Sequence, residues 1–74
     1  MNVKPLVKLS AGLFADRLRK VRSAKKVTQK DLGDAIGVPQ AAIARLESGR
    51  IDPRFSTLLK LADALQCRLD EFAS

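Results

Sequence analysis

Between Gly37 and Gly49 the chain reads Val-Pro-Gln-Ala-Ala-Ile-Ala-Arg-Leu-Glu-Ser, and its polar residues suit one kind of hydrogen-bonding chemistry. On a helix, with about 100° of rotation per residue, Gln40, Ala41, Ala44, Arg45 and Ser48 fall on one side. Ile43 and Leu46 fall on the other. A glutamine amide carries an acceptor beside two donors, and a guanidinium carries a fork of donors. Both match base edges in the major groove of a DNA duplex: glutamine pairs with adenine and arginine with guanine, each worth about 1–3 kcal/mol of discrimination. Ala41 and Ala44 are small enough for close approach and offer methyls to thymine. Taken alone, the same pattern also describes an ordinary solvated helix face.

Two helices and a turn must position that face. Thr28 is a good N-cap, and Asp31 three residues on completes a capping-box pattern. A helix is therefore expected after Thr28, burying Leu32, Ala35 and Ile36. Gly37 ends it, because glycine takes the left-handed conformation of a sharp stop. The next helix starts at Pro39 or Gln40, proline being tolerated in the first turn. It is expected to run to Ser48, with Gly49 as its stop. Leu32, Ile36, Val38, Ile43 and Leu46 supply the packing between the two helices, and Gly33 is small where they pass closest. Two short helices joined by a glycine turn form a compact right-angled unit.

The remaining segments read as supports. A helix from near Gly12 to about Lys25 buries Phe14, Leu18 and Val21 and exposes Arg17, Arg19, Lys20 and Arg22. Cations near its C-terminus are favoured by the helix dipole, so part of this charge has a structural explanation. After a loop at residues 50–53, a helix from Phe55 to Gln66 is expected to bury Phe55, Leu58, Leu61, Ala62 and Leu65. A short fifth helix from Leu69 to about Ala73 is expected to bury Leu69 and Phe72. The organisation is thus an N-terminal arm, residues 1–11, and one all-α domain, residues 12–74.

Composition narrows the function classes. With 74 residues and 46% apolar content the chain is one small folded domain. A body of this size buries only about 60% of its unfolded surface, so a second copy would help it. The net charge of +6 fits a polyanion partner, nucleic acid first and a membrane surface second, although solubility alone also uses such charge. One cysteine and no histidine leave no internal disulfide, no zinc finger and no histidine-based catalytic pair. Asp31, Asp34, Asp63, Asp70 and Glu71 occupy ordinary capping or surface places, so neither an enzyme, a metal nor a cofactor is expected. No apolar run suffices for a signal peptide or a membrane span, which places the expected protein in the cytoplasm.

With these features in register, the segments TQKDLGDAIGVPQAAIARLESG and DPRFSTLLKLADALQCRLDEF resemble the Cro/phage-repressor helix-turn-helix family, also called the xenobiotic-response-element (XRE) family. The resemblance runs from about Phe14 to Phe72. It departs from the family pattern at Gly33, where alanine is more usual, and at Pro39 and Arg54, where a capping serine or threonine is common. It implies a compact five-helix lambda-repressor-like fold that binds operator DNA as a two-fold dimer, prokaryotic or phage-encoded. It further implies that Gln29 contacts phosphate and braces Gln40, and that Arg22 and Glu47 form an ion pair. The dimer contact would fall on the last helices, at Leu65, Cys67, Leu69 and Phe72. Lys30, Arg50 and Arg54 are further phosphate candidates. The function expected is a transcriptional regulator, a repressor, with double-stranded operator DNA and a second copy as partners. The alternative is an antitoxin that also binds a toxin protein.

On this reading, affinity for duplex DNA should fall by roughly 0.9 log unit per log unit of salt for each phosphate neutralised. A salt titration of binding measures it, and an affinity indifferent to salt would contradict it.

Overall fold

The computed structural model describes residues 10–72. Four α-helices follow one another: α1 (Ala11–Ala24), α2 (Gln29–Ile36), α3 (Gln40–Leu46) and α4 (Phe55–Leu65). A 3₁₀ turn, Leu69–Phe72, closes the described chain. Among the described residues there is no strand. The expected arm lies outside them except at Ser10 and Ala11, and these two belong to α1. Ser10 is its N-cap, with the side chain accepting from the Leu13 N–H at 3.1 Å.

The expected fifth helix is a correction: it is a four-residue 3₁₀ turn. Gln66, left-handed at φ 52°, ends α4. The Glu71 N–H then bonds the Arg68 carbonyl at 3.0 Å, and the Glu71 carboxylate accepts from the Arg68 N–H at 2.9 Å. Such turns stay short because their hydrogen-bond geometry is poorer. This one serves to bury Phe72, whose ring meets that of Phe14 edge to face at 5.6 Å. Aromatic pairs favour that arrangement, and it fastens the end of the described chain to α1.

The core is a single cluster of Phe14, Leu18, Leu32, Ile43, Leu46, Leu58, Leu61, Ala62, Leu65 and Phe72. Val21, Val27, Ile36, Val38, Ile51 and Cys67 pack against it, partly buried. Three residues expected inside are outside. Ala35 is exposed because α2 turns Leu32, Ile36 and Gly33 toward its neighbours, and Ala35 falls about 60° from Leu32 on the far side. Phe55 is 65% exposed: it is the first residue of α4, about one turn before the first buried residue, Leu58. Leu69 is 37% exposed, whereas Phe72 at the other end of the same turn is buried.

The joint between α2 and α3 is set locally. Thr28 and Asp31 exchange both bonds of the capping box, at 3.0 and 3.3 Å. Gly37 is left-handed at φ 78°, and the Val38 N–H returns to the Gly33 carbonyl at 2.9 Å. At Gly33 the backbones come so close that an added Cβ would lie 2.6 Å from the Val38 carbonyl oxygen. Neither wall of that contact is a flexible side chain. Gly33→Val should therefore lose about 1–3 kcal/mol of stability by overpacking, read as a lower denaturation midpoint. An unchanged midpoint would show that the turn can move aside freely.

Candidate nucleic-acid interface

α3 is the shortest of the four helices, and it has a buried and an exposed side. Ile43 is fully buried and Leu46 nearly so, whereas Gln40, Ala41, Ala44 and Arg45 are exposed together. No side chain caps its start, since Pro39 occupies the N-cap. Its C-terminal end is shorter than the sequence pattern suggested, because α3 stops at Leu46 with Glu47 as C-cap. Ser48 lies beyond the helix, and its hydroxyl donates to the Arg45 carbonyl at 2.6 Å. The same oxygen accepts from the Arg50 N–H at 3.3 Å. Gly49, at φ 76°, then turns the chain away. Ser48 is exposed beside Gln40, Ala41, Ala44 and Arg45, with its hydroxyl proton engaged at the end of the helix.

Behind that face runs a chain of hydrogen bonds. Glu47 is 5% exposed and is the buried charged residue of the described chain. Arg22 of α1 grips it with both branches: Nε lies 2.6 Å from Oε2 and Nη2 lies 3.0 Å from Oε1. Nη1 of the same guanidinium donates to the Val27 carbonyl at 2.8 Å. The hydrogen bond to Glu47 raises the Arg22 pKa above its ordinary value. Gln29, first residue of α2, donates from Nε2 to Glu47 Oε1 at 3.1 Å. Gln40, first residue of α3, donates from Nε2 to Gln29 Oε1 over a longer 3.4 Å. Among the described residues no buried side-chain polar atom lacks a partner. The pairings of Arg22 with Glu47 and of Gln29 with Gln40 had been suggested by resemblance. The bond from Gln29 to Glu47 joins them into one network, and sequence reasoning missed it. Its signal was the number of lone pairs on a buried carboxylate, more than one arginine fills.

The cations divide by their company. Arg50 and Arg54 are exposed and form no ion pair among the described residues. Arg45 and Arg54 line one open groove beside α3, and Arg45 and Arg50 line a second. Lys30 is exposed at the start of α2, but its Nζ lies 2.9 Å from Asp34. On α1, Asp16 engages Lys20 at 3.2 Å and Arg19 at 3.3 Å, and these two neighbours hold its carboxyl below the usual range. Part of the α1 charge is thus occupied with itself.

The four residues expected at a dimer contact do not share a surface. Leu65 and Phe72 are 2% and 1% exposed, inside the core of this one chain, so as placed they offer a second copy no side chain. Cys67 is partly buried, which pushes its thiol pKa up, and Leu69 is exposed. Phe55 and Leu59 are the other large exposed apolar side chains.

Comparison with known proteins agrees with this geometry. The Helix-turn-helix family (HTH_3) matches residues 18–72. The HTH-type transcriptional regulator YqaE of Bacillus subtilis is 33% identical over 58 residues, 78% of this chain and 50% of that protein. Repressor protein C2 of Salmonella phage P22 is 36% identical over 62 residues, 84% of this chain and 29% of that protein. The chain thus spans half or less of the length of these curated relatives. The solved structure of the P22 c2 repressor in complex with synthetic operator 9T superposes with a TM-score of 0.73 at 34% identity, covering 88% of this chain and 92% of that one. The restriction-modification controller protein C.AhdI from Aeromonas hydrophila superposes with a TM-score of 0.79 at 31% identity, covering 84% and 94%.

Glu47→Ala should leave the Arg22 guanidinium partly buried without its counter-charge. Losing one partner of such a pair costs about 3–5 kcal/mol, a large share of the roughly 5–15 kcal/mol that holds a small domain together. The thermal melting temperature should drop by many degrees, and a melt like that of the wild type would contradict it.

Proposed function

The chain belongs to the helix-turn-helix family (HTH_3), and we propose that it is a DNA-binding transcriptional regulator, a repressor, that reads the major groove of its operator with α3. The observation that carries the reading is the outward face of α3. Gln40, Ala41, Ala44 and Arg45 are exposed as a group, while Ile43 and Leu46 of the same helix are in the core. A short rod held this way can enter a groove about 12 Å wide. Ala41 and Ala44 leave room for close approach. Gln40 pairs with adenine, and Arg45 pairs with guanine. The operator complex of the P22 c2 repressor, a chain of similar fold and 34% identity, supports this choice of partner.

Phosphates on either side of the groove would hold the helix in register. Gln29 and Lys30 begin α2, where free N–H groups and the positive end of the dipole favour an anion. Arg50 and Arg54 flank the other end of α3. Ser48 contributes through the backbone it holds rather than by donating to a base.

The regulator acts as a homodimer on this reading. One module of this kind buries only about 600–1,000 Å² on DNA. Two copies placed one helical repeat apart, about 34 Å, read a two-fold site. The contact between copies uses the exposed end of the molecule around Cys67 and Leu69, with the rest of the last segment serving the monomer core. No observation favours an antitoxin over this reading. Among the described residues no helix is long and apolar enough to cross a membrane, and the protein works in the cytoplasm, where the DNA of a prokaryote lies.

Arg45→Ala should relax base preference at one or two positions, at a cost of about 1–3 kcal/mol there, while Lys30→Ala should weaken all sequences alike. The Lys30 effect should be the smaller, because its ammonium leaves Asp34 to reach a phosphate. Competition binding against single-base variants of a selected site measures both. An unchanged preference in Arg45→Ala would remove α3 from its assigned role.

A further inference from the structure

We infer that Glu47 is a specificity-setting positioning residue: its carboxylate fixes which way the Gln29 and Gln40 amides face, and so makes Gln40 read adenine in preference to guanine. The inference rests on α3 being the base-contacting helix, as proposed above, and adds what decides the base.

An ionised carboxylate accepts hydrogen bonds and donates none. Glu47 Oε2 takes Arg22 Nε, and Oε1 takes Arg22 Nη2 at 3.0 Å. The Gln29 atom 3.1 Å from Oε1 is therefore its nitrogen. With its nitrogen turned to Glu47, Gln29 holds its carbonyl oxygen toward Gln40. That oxygen needs a donor in turn, and Gln40 offers Nε2 at 3.4 Å. One N–H of Gln40 is thus directed into the protein. The other N–H and the carbonyl oxygen remain outward, a donor beside an acceptor.

Adenine presents the complement in the major groove, an acceptor at N7 and a donor at N6. Guanine presents two acceptors, N7 and O6. Against guanine, the Gln40 oxygen would meet O6 oxygen to oxygen. The opposite polarity would reverse the choice. If Gln40 accepted from Gln29, both of its N–H groups would face out, the pattern that guanine accepts. A buried charge at Glu47, 5% exposed and clamped by Arg22, makes the first polarity the one available.

The test selects binding sites from a random-sequence duplex library with the wild type, Gln40→Ala, Gln29→Ala and Glu47→Gln. The position where Gln40→Ala loses its preference is the one Gln40 reads, and the enrichment of adenine over guanine is compared there. The wild type should favour adenine by about tenfold or more, within the range of one bidentate pair. Gln29→Ala leaves Arg22 and Glu47 paired but cuts the relay. Its adenine-to-guanine ratio should fall at least about threefold at that position alone, whereas a lost phosphate contact weakens all sequences equally. In Glu47→Gln an amide that can donate as well as accept replaces the acceptor-only carboxylate, so the polarity of the relay is no longer imposed and the adenine-to-guanine ratio should fall at that position. Folding is checked by circular dichroism at the selection temperature, and if Glu47→Gln does not fold, Gln29→Ala decides. An unchanged ratio in Gln29→Ala overturns the inference. If Gln40→Ala alters preference at no position, base reading by α3 fails first and the inference falls with it.

Discussion

A single buried carboxylate organises this small domain. Glu47 sits where α3 ends, and a charge there is tolerable only because Arg22 meets it with two hydrogen bonds and Gln29 adds a third. Taking such ions out of water costs several kcal/mol each, and close paired geometry is what offsets it. The arrangement carries more specificity than net stability. It ties together α1, the start of α2 and the end of α3, because Arg22 and Gln29 donate to the two oxygens that Glu47 supplies. The apolar cluster of Phe14, Leu18, Ile43 and their neighbours provides the free energy of folding but is indifferent to small rotations. The polar network adds directional bonds behind the outer face of α3.

The opposite end of the domain shows how differently a chain can be fastened. There the work is done by Phe72 against Phe14 and by α4 packing its Leu58, Leu61 and Leu65 row inward. Neither contact fixes a direction for a functional side chain. The exposed face of α3 is thus held by directional bonds and its support by non-directional burial. This division fits a molecule whose outward groups must be placed to a fraction of an ångström while its back only has to exclude water.

Much of the fold was legible in the sequence wherever the cause is local. Thr28 with Asp31, and Gly37 at the elbow, declare themselves within a few residues, and the structure has both the capping box and the left-handed glycine. The close approach at Gly33 was legible too, because a glycine inside a helix pattern asks for a packing reason. What escaped depends on the angles between helices. Periodicity placed Ala35, Phe55 and Leu69 inside, but it cannot say where a helix's contact stripe is centred. Phe72 was expected inside as well as at a dimer contact, and it is in the core of its own chain. Ser48 was misplaced by a hydrogen bond to the turn before it, a choice between helix and cap that composition does not decide. The Gln29–Glu47 bond joins residues 18 apart in the sequence, so no local pattern announces it.

The claim at the centre of this account is that the outer face of α3 lies in a major groove, and contact between that face and DNA tests it directly. Nuclear Overhauser effects between the Ala41 and Ala44 methyls and major-groove protons, recorded on the chain bound to a selected duplex, are the measurement. The account predicts cross-peaks from both methyls to base protons or thymine methyls. Resonances of α3 that stay unmoved on binding, with the perturbations gathered on the basic side of α1 instead, would contradict it.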